Sequence, residues 1–154
     1  MLRLGVFAVL VISIAAFLGF ARGSSAAHGP VQHSCGLTDQ QFLAVYSLQL
    51  QAVGMYGSDY LNGSAKAQDA VSAAKEAAAA VKSSAPFDPS LQTVKHYAPP
   101  MFLEFGRAVK ARAAGKDAGP AMYRAYSLSA TVQDVLRQAE PALTPLGCNV
   151  ADVL

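Results

Sequence analysis

Cysteine, histidine and charge are all scarce in this chain: two cysteines, three histidines and 14% charged residues in 154. Nucleophilic and metal-assisted chemistry therefore lack their usual parts. There is no HExxH, no GxSxG, no phosphate-cradling glycine loop and no CxxC. The carboxylates fall at starts of predicted helices (Asp39, Asp88, Asp117) or on polar faces, where capping and solubility account for them. The active-site checklist thus returns no enzyme. Net charge is missing as well. Beyond residue 27 the Lys and Arg residues balance the Asp and Glu residues. A neutral domain has no counterion-release drive toward nucleic acid and no strong steering to an anionic membrane.

What is present begins with a long apolar run, Leu4 to Ala21, behind Arg3 and followed by Gly23-Ser24-Ser25-Ala26-Ala27. A positive start, an apolar stretch and small residues at the end make residues 1–27 an export signal, with cleavage expected after Ala27. Left uncleaved, the same run reaches the lower limit for a membrane anchor, the one route to a membrane that the sequence offers. Export fixes the redox compartment, and in an oxidising one the two cysteines, Cys35 and Cys148, are expected to pair. They bracket nearly everything beyond the signal.

The spacing of apolar residues and the Gly and Pro clusters predict four helices. The first runs over about 39–61 from a capping box at Thr38–Gln41, carries Phe42, Tyr46, Val53, Tyr56 and Tyr60, and ends at Asn62-Gly63. Gly54 and Gly57 are places where another element can approach it closely. The second, Ser64 to Ser83, is nearly polyalanine, with Ala67, Ala70, Val71, Ala74, Ala78 and Val81 as its inward stripe and Lys66, Asp69, Lys75, Glu76 and Lys82 on a solvated face. The third starts at the Asp88 cap with Pro89 at its first position, and Pro99-Pro100 is expected to break it near Ala98. The fourth runs from an Asp117 cap to about Ala139, stopped by Pro141, with Met122, Tyr126, Val132 and Leu136 inward. The expected fold is all-α: an up-down four-helix bundle closed by a Cys35–Cys148 disulfide at its open end. The divisions are 28–37 as an N-terminal segment, 38–148 as the helical domain and 149–154 as a tail.

Three constellations could bind something. His28 and His33 lie ahead of the first helix, and cleavage after Ala27 would make His28 an amino-terminal copper ligand. Tyr60, His96 and Met101, with Tyr97 nearby, could hold haem or another apolar ligand between helices, with Tyr60 or His96 as an axial bond to iron. Phe102, Phe105, Tyr123 and Tyr126 could form an exposed aromatic groove, and Arg107, Lys110, Arg112 and Lys116 form the best basic patch. Asn62-Gly63-Ser64 is also a glycosylation sequon, read here first as a helix stop.

The export signal, the helical body with a cysteine near each end, and Asp59-Tyr60-Leu61-Asn62 at a helix end resemble the actinobacterial secreted haem-binding (hemophore-related) proteins. In that family a tyrosine in a similar Tyr-Leu turn ligates iron, assisted by nearby histidines. The resemblance puts haem ligation on Tyr60. It stops at Gly63-Ser64, where the family pattern has a histidine, and the cysteines here are further apart than in that pattern. The residues as a whole point to an exported, monomeric helical protein that binds a protein or envelope partner without catalysis and without a cofactor, with haem carriage as the alternative.

Overall fold

The computed structural model describes residues 31–154; residues 1–27, read above as an export signal, and His28 lie outside the described residues. Four α-helices make up the fold, with no strand among the described residues: α1 (Leu37–Leu61), α2 (Ala67–Ser83), α3 (Pro89–Ala113) and α4 (Gly119–Leu143). Two short 3-10 turns, Thr144–Leu146 and Ala151–Val153, follow. The close backbone approaches run between successive helices, α1 on α2, α2 on α3 and α3 on α4. The start of α1, the end of α2, the start of α3 and the segment after α4 gather at one end. There Thr38 and Phe42 line a hollow with Ser83 and Ser84, Asp39 accepts hydrogen bonds from Phe87 and Asp88, and Cys35 is bonded to Cys148.

The caps show how local chemistry sets the helix starts. Asp88 accepts from the amides of Ser90 and Leu91, and Pro89 takes the first helical position, as its missing N–H and fixed φ favour. α1 begins two residues earlier than the capping box predicted. Gly36 is its cap, and the Asp39 carboxylate turns back to the Gly36 amide at 2.9 Å. α2 begins at Ala67, three residues later than the expected Ser64, because the Asp69 carboxylate returns to the Lys66 amide and makes Lys66 the cap. Asp117 precedes α4 and accepts from the Gly119 amide, while Ala118 is the cap.

Two proline expectations are corrected. α3 is one continuous helix through Pro99 and Pro100, and α4 continues past Pro141 to Leu143. Proline at 99 and 100 removes the amides that would donate to the Lys95 and His96 carbonyls. That loss falls on the face carrying exposed His96 and Pro100, where water can replace the partners. Meanwhile Val94, Ala98, Met101 and Phe102 are buried on both sides of the pair, and burying them outweighs the missing bonds.

The main core joins Phe42, Tyr46 and Val53 of α1 to Val81 of α2, Leu91, Val94 and Phe102 of α3, and Val132, Leu136 and Leu143 of α4. The Phe42 and Tyr46 rings stack with centroids 6.2 Å apart, and Phe102 tilts against Tyr46 at 6.3 Å. Val150 and Val153 belong to this core, so the segment read as a tail is packed into the fold. A second, smaller cluster of Ala70, Val71 and Val109, flanked by Tyr60, Ala67 and Phe105, sits at the opposite end.

Candidate binding surface

The disulfide expected from the cysteine count is present, with Cα atoms 5.7 Å apart and Cys148 fully buried. Around it lies a polar network that the sequence showed only as separate caps. Asp39 is wholly buried and accepts three backbone N–H groups, from Gly36, Phe87 and Asp88. Asp88, also wholly buried, accepts from the Ser34, Ser90 and Leu91 amides and pairs with His33 Nδ1 at 3.0 Å. His33 is therefore a tie between the N-terminal segment and α3. Its one carboxylate neighbour serves that tie, and no group of three or more metal-ligating side chains occurs among the described residues.

The residues proposed for a haem site are not brought together. Tyr60 is half-buried against the second cluster, beside Phe105 and Val109. His96 is exposed, nine residues before Phe105, which is about 14 Å along the helix at 1.5 Å per residue. It stands edge-on to Tyr97 with ring centroids 4.9 Å apart. Met101 is buried in the main core. The aromatic groove also divides: Phe102 is core, Phe105 is half-buried, and Tyr123 and Tyr126 project from α4 at 74% and 63% exposure. Tyr126, placed inward by helical spacing, thus points outward. Its register is taken by Ala121 and Ala125, whose methyls allow the closer approach.

Charge is what the fold sorts most clearly. Residues 62–116, the stretch containing α2 and α3, hold eight of the ten Lys and Arg residues of the described chain and four of its ten carboxylates. α1 carries no cation at all, only Asp39 and Asp59. Three of the four carboxylates on the cationic side are engaged: Asp69 at the start of α2, Asp88 in the buried network, and Glu104 with Arg107 and Arg124. Glu104 is nearly buried and ties α3 to α4 through Arg124 Nε at 3.0 Å. Only Glu76 stands free among the cations.

These cations edge two hollows along the α2–α3 seam. One, of about 460 Å³, is lined by Gln68, Val71 and Lys75 of α2 and by Leu103, Gly106, Arg107 and Lys110 of α3. The other, of about 500 Å³, is lined by Lys82 and by Gln92, Lys95, His96, Pro99, Pro100 and Leu103. Leu103, 40% exposed, lines both, so the two hollows adjoin as a trough along the seam. At Gly106 a Cβ atom would lie 3.2 Å from the Ala74 Cβ, so the missing side chain and the alanines of α2 let the two helices come close under the trough. Taken singly, the lysines of α2 read as a solvated face. Only the pairing with α3 makes them one edge of a trough, although their seven-residue spacing, Lys75 to Lys82, was a signal that they share a face.

No protein-family model, no curated protein and no solved structure matches this chain.

Proposed function

We propose that this protein is an exported, non-enzymatic helical binding module of the cell envelope or extracellular space, acting as a monomer on a protein or envelope partner. The observation that carries the reading is the sorted surface: a formally neutral domain with a cation-edged, apolar-floored trough on α2–α3 and a cation-free α1. Solubility alone asks only that charges of both signs be interspersed. Segregating them costs stability through like-charge repulsion and suits recognition of an oriented partner. The oxidised cysteine pair is compatible with an extracytoplasmic site, and residues 1–27 supply the export signal of this reading. Among the described residues no helix is long and apolar enough to cross a membrane.

Haem carriage, the alternative suggested by the resemblance, draws no support from the separation of Tyr60 and His96. The test of the main reading is intact-mass analysis of the protein recovered from cell fractions, with and without thiol alkylation. A mass matching residues 28–154 in the extracytoplasmic fraction, with no alkylated cysteine, is the expected result. Recovery of the uncleaved chain in the cytoplasm with two alkylated thiols would overturn it.

A further inference from the structure

We infer that the α2–α3 trough is a docking groove for an acidic amphipathic helix, a segment of a partner protein whose apolar ridge lies on Leu103 and Pro100 and whose carboxylates meet the lysines on both rims. The assignment deepens the binding-module reading and rests on it.

Charge complementarity points to this occupant. Lys75 and Lys82 rise from the α2 rim, Lys95 and Lys110 from the α3 rim, and none of the four makes an ion pair among the described residues. No carboxylate lines either hollow. An anionic partner would therefore gain four contacts without breaking an existing pair. A cationic partner would meet like charge along the whole length.

The floor selects against the other anions. Leu103, Pro99 and Pro100 are apolar and line it, and at Gly106 α2 closes up against α3 beneath it. A planar lipid headgroup layer would rest on the rims and leave that floor uncovered. A phosphate backbone would have no use for it. A helix with an apolar stripe fills it, which is how helix-in-groove recognition works. The trough runs from Gln92 to Lys110, about 27 Å at 1.5 Å per residue, which matches five turns of a partner helix. The second copy of this chain is a poorer match: its cation-free helix, α1, has the half-buried Asp59 as its one carboxylate besides the wholly buried Asp39 and cannot answer four lysines.

The test uses the oxidised protein and a fluorescein-labelled synthetic helix of about five turns, with leucine on one face and glutamate on its flanks, alongside the same peptide with lysine for glutamate. Anisotropy should saturate with the glutamate peptide only and weaken several-fold on raising salt. Lys82→Glu together with Lys95→Glu should weaken binding about tenfold, while Arg137→Glu on α4 leaves it within about twofold. These are surface positions, and matching circular dichroism of all variants confirms that the fold is intact. The proposal is overturned by no saturation, by equal binding of the lysine peptide, by equal loss in Arg137→Glu, by tighter binding to phosphatidylglycerol vesicles than to the peptide, or by self-association that the double variant abolishes. Because this readout is made in vitro, its failure leaves the fractionation result for export standing, and the reverse also holds.

Discussion

The two ends of the four helices are held by different physics. At the cysteine end, directional ties converge: a covalent bond from Cys35 to Cys148, and two wholly buried carboxylates that between them accept six backbone N–H groups. At the opposite end the chain relies on Ala70, Val71 and Val109, with Tyr60 and Phe105 leaning in. Small side chains bury little area each, so that end depends on close approach instead of on size. One end specifies which segments meet; the other only requires that nothing large intervene. Strong ties stand where four chain segments must be brought into register, and weak ones where short loops already hold neighbours together.

The comparison can be broken first at the disulfide. Its two cysteines are 113 residues apart, and on the chain-entropy model that closure contributes about 4–5 kcal/mol. Denaturant unfolding with and without reductant should show a loss of that order. Coincident curves would show that the covalent tie adds nothing to the polar network beside it.

Next comes Asp39→Ala, which strands three amides that now donate to one buried carboxylate. At about 1–3 kcal/mol for each buried group left unsatisfied, partly relieved by water entry, a loss of about 3–4 kcal/mol is expected. Asp59→Ala, on the half-buried far turn of α1, should cost well under that in the same denaturation assay.

Tyr46 supplies a pH test of the core between the ends. Burial pushes its phenol well above the usual tyrosine range, so the folded protein holds that proton where the unfolded chain releases it. Stability from this group is complete below about pH 10 and falls above it by roughly 1.4 kcal/mol per pH unit. Tyr46→Phe should remove that part of the alkaline slope in denaturation measured at pH 9 and pH 11. An unchanged slope would show that the hydroxyl titrates as if exposed.

The smallest effects should separate two glycines of α1. A Cβ at Gly57 would lie 2.7 Å from Phe105 Cζ, whereas one at Gly54 meets nothing within 4 Å. Gly54→Ala should stabilise by about 0.5–1 kcal/mol through helix propensity. Gly57→Ala gains the same propensity but must displace the Phe105 ring, and a net loss of about 1 kcal/mol is expected. Thermal melts of the two variants moving in the same direction would mean that the small-residue end is loosely packed.

Much of the fold was legible because its signals are local. The Asp88-Pro89 start, the stop at Asn62-Gly63 with Gly63 at φ 77°, and the alanine stripe of α2 each depend on residues within a turn of one another. The candidate surface was legible only in fragments. Lys75 and Lys95 are distant in sequence, and nothing local says that they edge one trough.

The sequence by itself determined the helical class, the four-helix count and the pairing partner of each cysteine, because propensity, capping and a two-cysteine inventory leave few alternatives. Only the tertiary structure decided that α3 and α4 continue through their prolines, since burial of Ala98, Met101 and Leu143 is a long-range gain that a local rule cannot weigh. It likewise decided that Asp39 satisfies the amides of Phe87 and Asp88, that Tyr60 and His96 stay apart, and that residues 31–154, formally neutral, present a cationic seam. Side-chain direction and inter-helix register set all three, and both are properties of packing.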